Sequence, residues 1–367
     1  MLRGKNDAAS RVGCVFGPEG LTVDWAQAVI TEFAGAHTTA TVENVVVQSL
    51  DVGTTSRVRL EVEYAGTLES LPTRWFVKLP SAHLRARLIA QAAGLIRNEA
   101  RYYASVASQV SIAQPVVLAT ALRWSGGVVV MEDLATENVS FGSGGDGMTA
   151  GEARAAVCTL AKLHAQFWNK TDTLPGWMDG AMRQTEDQLG DWLAVPLMRR
   201  GLRRAGEVVP PGLADSAISY ARRRRHYHQQ LNAGPATLVH RDCHPGNWFF
   251  RNGQAGLLDW QLARTGAGVG DLAYLIGTGL SPSIRRLLED ELVQAYIDAL
   301  AGEGVQVRPD AIWRMYRRHL VYAFEAMVVT LAIGQMMPLA WNLRMIERTA
   351  AALADHTVFA DSKLWSA

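Results

Sequence analysis

The sequence predicts an α+β chain of two lobes, a small antiparallel-sheet N-terminal lobe and a larger, mostly helical C-terminal lobe. Three observations carry this. A length of 367 residues suits two packed units better than one. Strand-like runs of alternating polarity crowd the first third of the chain. Longer stretches with helical spacing fill most of the rest. The expected division is 1–133 and 134–367.

In chain order, Leu21 to Phe33 has apolar residues at helical spacing, with Thr22 as its cap. Val42 to Leu50 is Val-rich, and Arg57 to Tyr64 alternates as a half-buried strand does. Between them Gly53, Thr54, Thr55 and Ser56 form a turn whose N–H and O–H groups suit phosphate. No G-x-G-x-x-G or Walker A pattern accompanies it, so by itself it is an ordinary hairpin turn. Arg74 to Leu79 is the next strand and carries Lys78. From Leu84 an apolar stripe runs through Leu88, Ala92, Leu95, Tyr103 and Val106, and Glu99 falls on it. A carboxylate there is costly unless paired. Lys78 is the expected partner; Arg97 and Arg101 are the alternatives, and a strand Lys can also be a solvated edge charge.

Gly127 to Met131 reads as a buried strand, followed by Glu132, Asp133 and Leu134. The run Gly142 to Gly147 reads as a flexible connection, since no Lys makes it a phosphate loop. Thr149 and Glu152 fit a capping box that opens a helix reaching Trp168. Residues 170–235 read as a helical insertion, with Arg222 to Arg225 on a solvated face. The apolar stretch from Leu320 to Leu339 is interrupted by Glu325, Gln335 and Pro338, which suits a buried helix better than a membrane span. Glu325 there would meet either a polar ligand or a buried Arg.

The chemistry concentrates in His240-Arg241-Asp242-Cys243-His244-Pro245-Gly246-Asn247 and in Leu257-Leu258-Asp259-Trp260-Gln261. Asn252-Gly253 is a hairpin-turn signal between them. A two-residue loop sets Asn247 opposite Leu258, and a three-residue loop sets it opposite Asp259. Either register brings an amide and a carboxylate to the open end of one hairpin. Mg²⁺ prefers such oxygen ligands, usually one or two carboxylates plus phosphate oxygens and water. A further carboxylate off the metal, Asp242, can orient a hydroxyl and accept its proton. The pattern is that of nucleotide-dependent phosphoryl transfer. His240 reads as a structural histidine and His244 as a loop filler.

These motifs resemble the aminoglycoside phosphotransferase and choline-kinase-like superfamily, most nearly its ecdysteroid-kinase-like branch and bacterial relatives. The D-x-x-x-x-N spacing matches, and Asp259-Trp260-Gln261 stands where protein kinases carry Asp-Phe-Gly. Arg241 departs from the Gly more usual in the group. The resemblance implies a protein-kinase-like fold and an ATP-dependent transfer, with GTP as an alternative donor and Mg²⁺ as the metal. It implies that Lys78 reaches the α- and β-phosphates, steadied by Glu99, and that Gly53 to Ser56 covers the nucleotide. Met131, Glu132 and Leu134 would carry the adenine through the linker backbone. Asp242 would be catalytic, and Asn247 and Asp259 would hold the metal. His164 would brace the catalytic loop, and Asp271 would cap the following helix and steady that loop.

The acceptor implied is a small-molecule hydroxyl, with antibiotic phosphorylation as the alternative and a non-catalytic pseudokinase as a remoter one. The short gap from Asp259 to Gly270 has no room for the activation segment of a protein kinase. A formal net charge of +1 gives no global drive toward nucleic acid or an anionic membrane, and no membrane insertion is expected. Cys14, Cys158 and Cys243 show no metal spacing and leave an odd thiol, which fits a reducing cytoplasm. The sequence leaves acceptor and oligomeric state open.

Overall fold

The computed structural model describes residues 12–35, 38–53, 55–66, 71–83, 94–123, 126–135 and 138–366. Two compact units emerge: Met1–Ala107 with Pro115–Thr136, and Ser108–Gln114 with Glu137–Ala367.

The first unit is built on a five-stranded antiparallel sheet. Its strands are β1 (Thr41–Val52), β2 (Thr55–Ala65), β3 (Arg74–Pro80), β4 (Val117–Arg123) and β5 (Gly126–Glu132), in the order β1-β2-β3-β5-β4. In β2 the alternation read from sequence is realised: Val58, Leu60 and Val62 are buried, while Glu61 and Glu63 face solvent. Helix α1 (Val23–Ala34) starts where Thr22 Oγ1 accepts from Trp25 N–H at 3.2 Å, and it sends Trp25, Val29 and Ile30 into the core. Helix α2 (Leu95–Ser105) packs against β4 and β5. The part of the predicted stripe at Leu84, Leu88 and Ala92 lies outside the described residues.

The second unit is mostly helical. Helices α3 (Ala150–Phe167), α4 (Ala181–Ala205), α5 (Pro211–Arg222) and α6 (Arg224–Leu231) precede the segment 240–261. Helices α7 (Val269–Gly279), α8 (Pro282–Gly302), α9 (Pro309–Ile333) and α10 (Leu339–Asp355) follow it. The Thr149–Glu152 capping box forms in both directions. Helix α9 is central, packing on α4, α7 and α10. Gly201 lets α4 come this close, because a Cβ there would lie 2.2 Å from the Val328 carbonyl oxygen. Among the described residues no helix is long and apolar enough to cross a membrane.

Two small sheets frame residues 240–247. β6 (Val139–Phe141), β8 (Trp248–Arg251) and β9 (Gln254–Leu257) form one, and β7 (Ala236–Val239) pairs with β10 (Arg264–Ala267) in the other. The Gly142–Gly147 run is not the loose connection that its composition suggests. Arg348 reaches across to donate to the Gly144 and Gly145 carbonyls at 3.0 and 2.5 Å, and Ser143 Oγ accepts from Asp146 N–H. The Arg348 ties come from a helix two hundred residues away, so local composition cannot reveal them.

Candidate active site

The β8–β9 hairpin fixes the register that the sequence leaves open. Arg251 pairs with Gln254, so the loop is the two residues Asn252-Gly253, with φ of 52° and 77°. Positive φ at both positions is the demand of a type I′ turn, which Asn-Gly meets cheaply. Asn247 therefore stands opposite Leu258, whose N–H donates to the Asn247 carbonyl at 2.9 Å. Asp259 is the next residue and adopts a left-handed conformation, φ 63° and ψ 63°.

Asp242 precedes the hairpin. Tyr274 Oη–H donates to its Oδ1 at 2.9 Å, and Asn247 Nδ2 donates to its Oδ2 at 3.2 Å and to its carbonyl at 2.8 Å. The Asn247 amide is thereby oriented, with both of its Nδ2 bonds to Asp242. His244 is more than filler: its Nδ1 accepts from Gly246 N–H at 3.1 Å and caps the turn Pro245–Asn247.

The backbone between these groups is held from below. Arg241 is a further non-glycine residue in the left-handed region, φ 69°. Such conformations cost about 1–3 kcal/mol and persist where surroundings over-determine them. Here Asp271, buried in the first turn of α7, accepts from His240 N–H at 2.6 Å and from Arg241 N–H at 2.8 Å. Its side chain thus braces the loop before Asp242 and makes no cap for its own helix, where Gly268 is the cap residue. Burial alone would raise the Asp271 pKa, but the His164 hydrogen bond and the His240 amide bring it below its ordinary value. His164, fully buried, lies 3.3 Å from Asp271 Oδ2 through Nε2 and 2.8 Å from the Tyr296 hydroxyl through Nδ1.

His240 joins the two halves of the site. Its Nε2–H donates to the Leu258 carbonyl at 2.7 Å, and its Nδ1 accepts from Asp242 N–H at 3.3 Å. Burial lowers its pKa against the pull of Asp271 and Asp242, so the ring is neutral with one tautomer selected. It clasps the loop of Asp242 to the residue before Asp259. The Trp260 ring packs edge-on against it, centroids 4.8 Å apart.

In the first unit Lys78, on β3, donates to Glu99 Oε1 on α2 at 2.7 Å, both side chains buried. Thr55 and Ser56 are the first residues of β2, and Thr54 lies outside the described residues. The Ser56 hydroxyl accepts from Ala82 N–H at 2.9 Å, while Gly53 O accepts from the Ser81 hydroxyl at 2.7 Å. Met131 and Glu132 end β5; Glu132 Oε1 accepts from Val116 N–H at 3.0 Å, and Leu134 is buried.

Residues 64–309, more than half of the chain, match the model of the phosphotransferase enzyme family, APH. The chain belongs to that family. Two solved structures show the fold that this phosphotransferase shares. A putative aminoglycoside phosphotransferase from Ralstonia eutropha aligns with a TM-score of 0.53 at 14% identity, over 93% of this chain and 98% of that one. A choline kinase from Cryptosporidium parvum aligns with a TM-score of 0.51 at 12% identity, over 89% and 94%. The fold is therefore protein-kinase-like, as the motifs imply. No curated protein matches the chain.

The donor set of the phosphotransferase fits a hard cation shared with phosphate. Among the described residues no group of three or more His, Cys, Asp or Glu could hold a metal. An Asp and an Asn oxygen with open positions is what Mg²⁺ needs when phosphates and water complete its shell. Sequence reading missed Tyr274 on Asp242 altogether. The available signal was a tyrosine in the apolar run Leu272-Ala273-Tyr274-Leu275, whose hydroxyl needs a partner once buried. It left Glu325 open, and the structure settles it as a buried acceptor for Arg224 (2.5 Å), Tyr220 (2.6 Å) and His228 (3.0 Å). Arg224 thus leaves the solvated face on which the sequence puts the four arginines, while Arg222, Arg223 and Arg225 stay exposed.

Proposed function

We propose that this phosphotransferase moves the terminal phosphoryl group of ATP, or of GTP, to a hydroxyl of a small metabolite or xenobiotic. The observation that supports it most is the double-bonded Asp242 carboxylate, held on a strained loop that His240 clasps to the Leu258-Asp259 step. Mg²⁺ bound at Asn247 and Asp259 would neutralise charge on the phosphates. Asp242 orients the acceptor hydroxyl and takes its proton as the new O–P bond forms and the bond to the departing nucleoside diphosphate breaks. Lys78, fixed by Glu99, serves the α- and β-phosphates in this reading, with Gly53 to Ser56 over the nucleotide and Met131 to Leu134 beside the base.

A pseudokinase reading expects decay at Lys78, Asp242, Asn247 or Asp259, and all four are present in the sequence. Aminoglycosides and choline, the substrates in the names of the two aligned structures, are first candidates for the acceptor. The test is nucleotide consumption with Mg·ATP and Mg·GTP against sugars, amino alcohols, hydroxylated metabolites and antibiotics. Asp242→Ala should bind Mg·ATP as the parent does and lose roughly 10²–10⁴-fold in turnover. Retained turnover in that variant removes Asp242 from the mechanism.

A further inference from the structure

The outer face of α4 carries an unusual surface. Trp192 is 85% exposed, and Leu189, one helical turn before it, and Leu193, the next residue, are 47% and 41% exposed. Pro196 continues the same stripe in solvent. Arg199, Arg200 and Arg203 extend it toward the C-terminus, also exposed. At about 3.6 residues per turn these positions fall within an arc roughly 120° wide. Ala194, Met198 and Leu202, buried, occupy the opposite side.

The charge on this face is of one sign. The carboxylates of α4 are each paired with an arginine, Glu186 with Arg183, Asp187 with Arg264 and Asp191 with Arg224. Among the described residues Arg199, Arg200 and Arg203 meet no carboxylate. A second basic group adjoins the first: Arg222, Arg223 and Arg225 rim a surface depression that Asp191 also lines, one residue from Trp192. A chain with a formal charge of +1 has therefore gathered exposed arginines around an exposed tryptophan and two leucines.

We propose that this face of α4 is a peripheral docking surface for an anionic lipid bilayer. The apolar stripe with Trp192 would enter the headgroup layer while the arginines meet lipid phosphates. A lipid surface accepts both parts, presenting phosphates directly above an apolar layer, whereas a nucleic-acid backbone offers nothing apolar to Leu189, Leu193 and Pro196. The arrangement is that of an interfacial helix, with tryptophan and leucine beside arginine. It differs from a spanning helix, since the opposite side of α4 is packed in the protein core.

The test is co-sedimentation of the full chain with vesicles of phosphatidylcholine alone and of phosphatidylcholine mixed with phosphatidylglycerol. Pelleting with the mixed vesicles only, and release by high salt, are expected. Trp192→Ala combined with Leu193→Ala should weaken partitioning about tenfold or more, and so should Arg199→Gln with Arg200→Gln and Arg203→Gln. Leu287→Ala, at another exposed leucine (75%), should leave it unchanged. All these positions are at the surface, so the variants fold, which circular dichroism verifies. Failure to pellet with either vesicle overturns the proposal. So does pelleting that ignores Trp192→Ala, a self-association in solution that the same variant abolishes, or equal retention on a DNA duplex.

Discussion

The two oxygens of Asp242 are already occupied by donors, Tyr274 on one and Asn247 on the other. A carboxylate so held keeps one orientation, and a lone pair on each oxygen remains for an incoming hydroxyl. Tyr274 is rigid, being buried in α7 and packed 5.8 Å from the Tyr322 ring. Tyr322 in turn sits under the Arg241 guanidinium, 4.5 Å away, and its hydroxyl donates to the Arg241 carbonyl at 3.3 Å. Arg241 is thus more than a neutral replacement for glycine; it ties the residue before Asp242 to α9. Tyr274→Phe removes one donor and leaves the ring packing intact. A hydrogen bond to a charged group is worth about 1.5–3 kcal/mol, which is roughly ten- to a hundredfold in rate if the loss falls on the transition state. The expected outcome is a lower kcat with the nucleotide KM unchanged, measured by steady-state kinetics. An unchanged kcat would mean that Asn247 alone orients Asp242.

Between strand β3 and helix α2 the Lys78–Glu99 pair links two elements through one ion pair, with only 8% and 1% of the side chains exposed. Removing one partner strands a buried charge, which costs about 3–5 kcal/mol, whereas replacing both by apolar residues of similar volume is often neutral. Glu99→Leu should therefore destabilise the first unit, and Lys78→Met with Glu99→Leu should recover most of that loss. Nucleotide affinity separates structure from function: it should stay lost in the double variant, read by calorimetric titration with Mg·ATP. If stability and affinity return together, Lys78 serves packing alone. This pair was legible in the sequence because a charge on an apolar stripe demands a partner. Asp242, Asn247 and Asp259 were legible for a related reason, since eighteen residues and one Asn-Gly turn contain them all. Tyr274 on Asp242 and Arg348 on the Gly144 carbonyl were not, because each contact joins segments that only the folded chain brings together. His244 as a cap was hidden differently: nothing in a histidine's identity separates a capping role from an idle one.

At the scale of the whole molecule, acid should undo the second unit through its buried histidines and through Glu325. Burial brings the His319 imidazole from 6.5 down to about 4, against its hydrogen bond to the Met315 carbonyl, with Arg241 and His228 also disfavouring charge and Asp271 favouring it. His228 and His240 are lowered as well, by burial first and against nearby carboxylates. Between pH 6.5 and about 4 the unfolded chain therefore binds protons at His319 that the folded chain refuses, and stability falls as pH falls through that window. Glu325 acts in the same direction lower down. Burial would raise its pKa, but Arg224 and His228 hold it well below 4.5, so its contribution is complete above 4.5 and lost as pH drops beneath it. At pH 5 the His319 share amounts to about 2 kcal/mol relative to neutral pH. His319→Asn keeps a donor for the Met315 carbonyl and removes the titration. Thermal unfolding from pH 7.5 to 4.5 should show Tm falling with acid in the parent protein and falling less steeply in His319→Asn between pH 6.5 and 5. Parallel curves for the two proteins would place the acid sensitivity elsewhere, in His228, His240 or the Glu325 cluster.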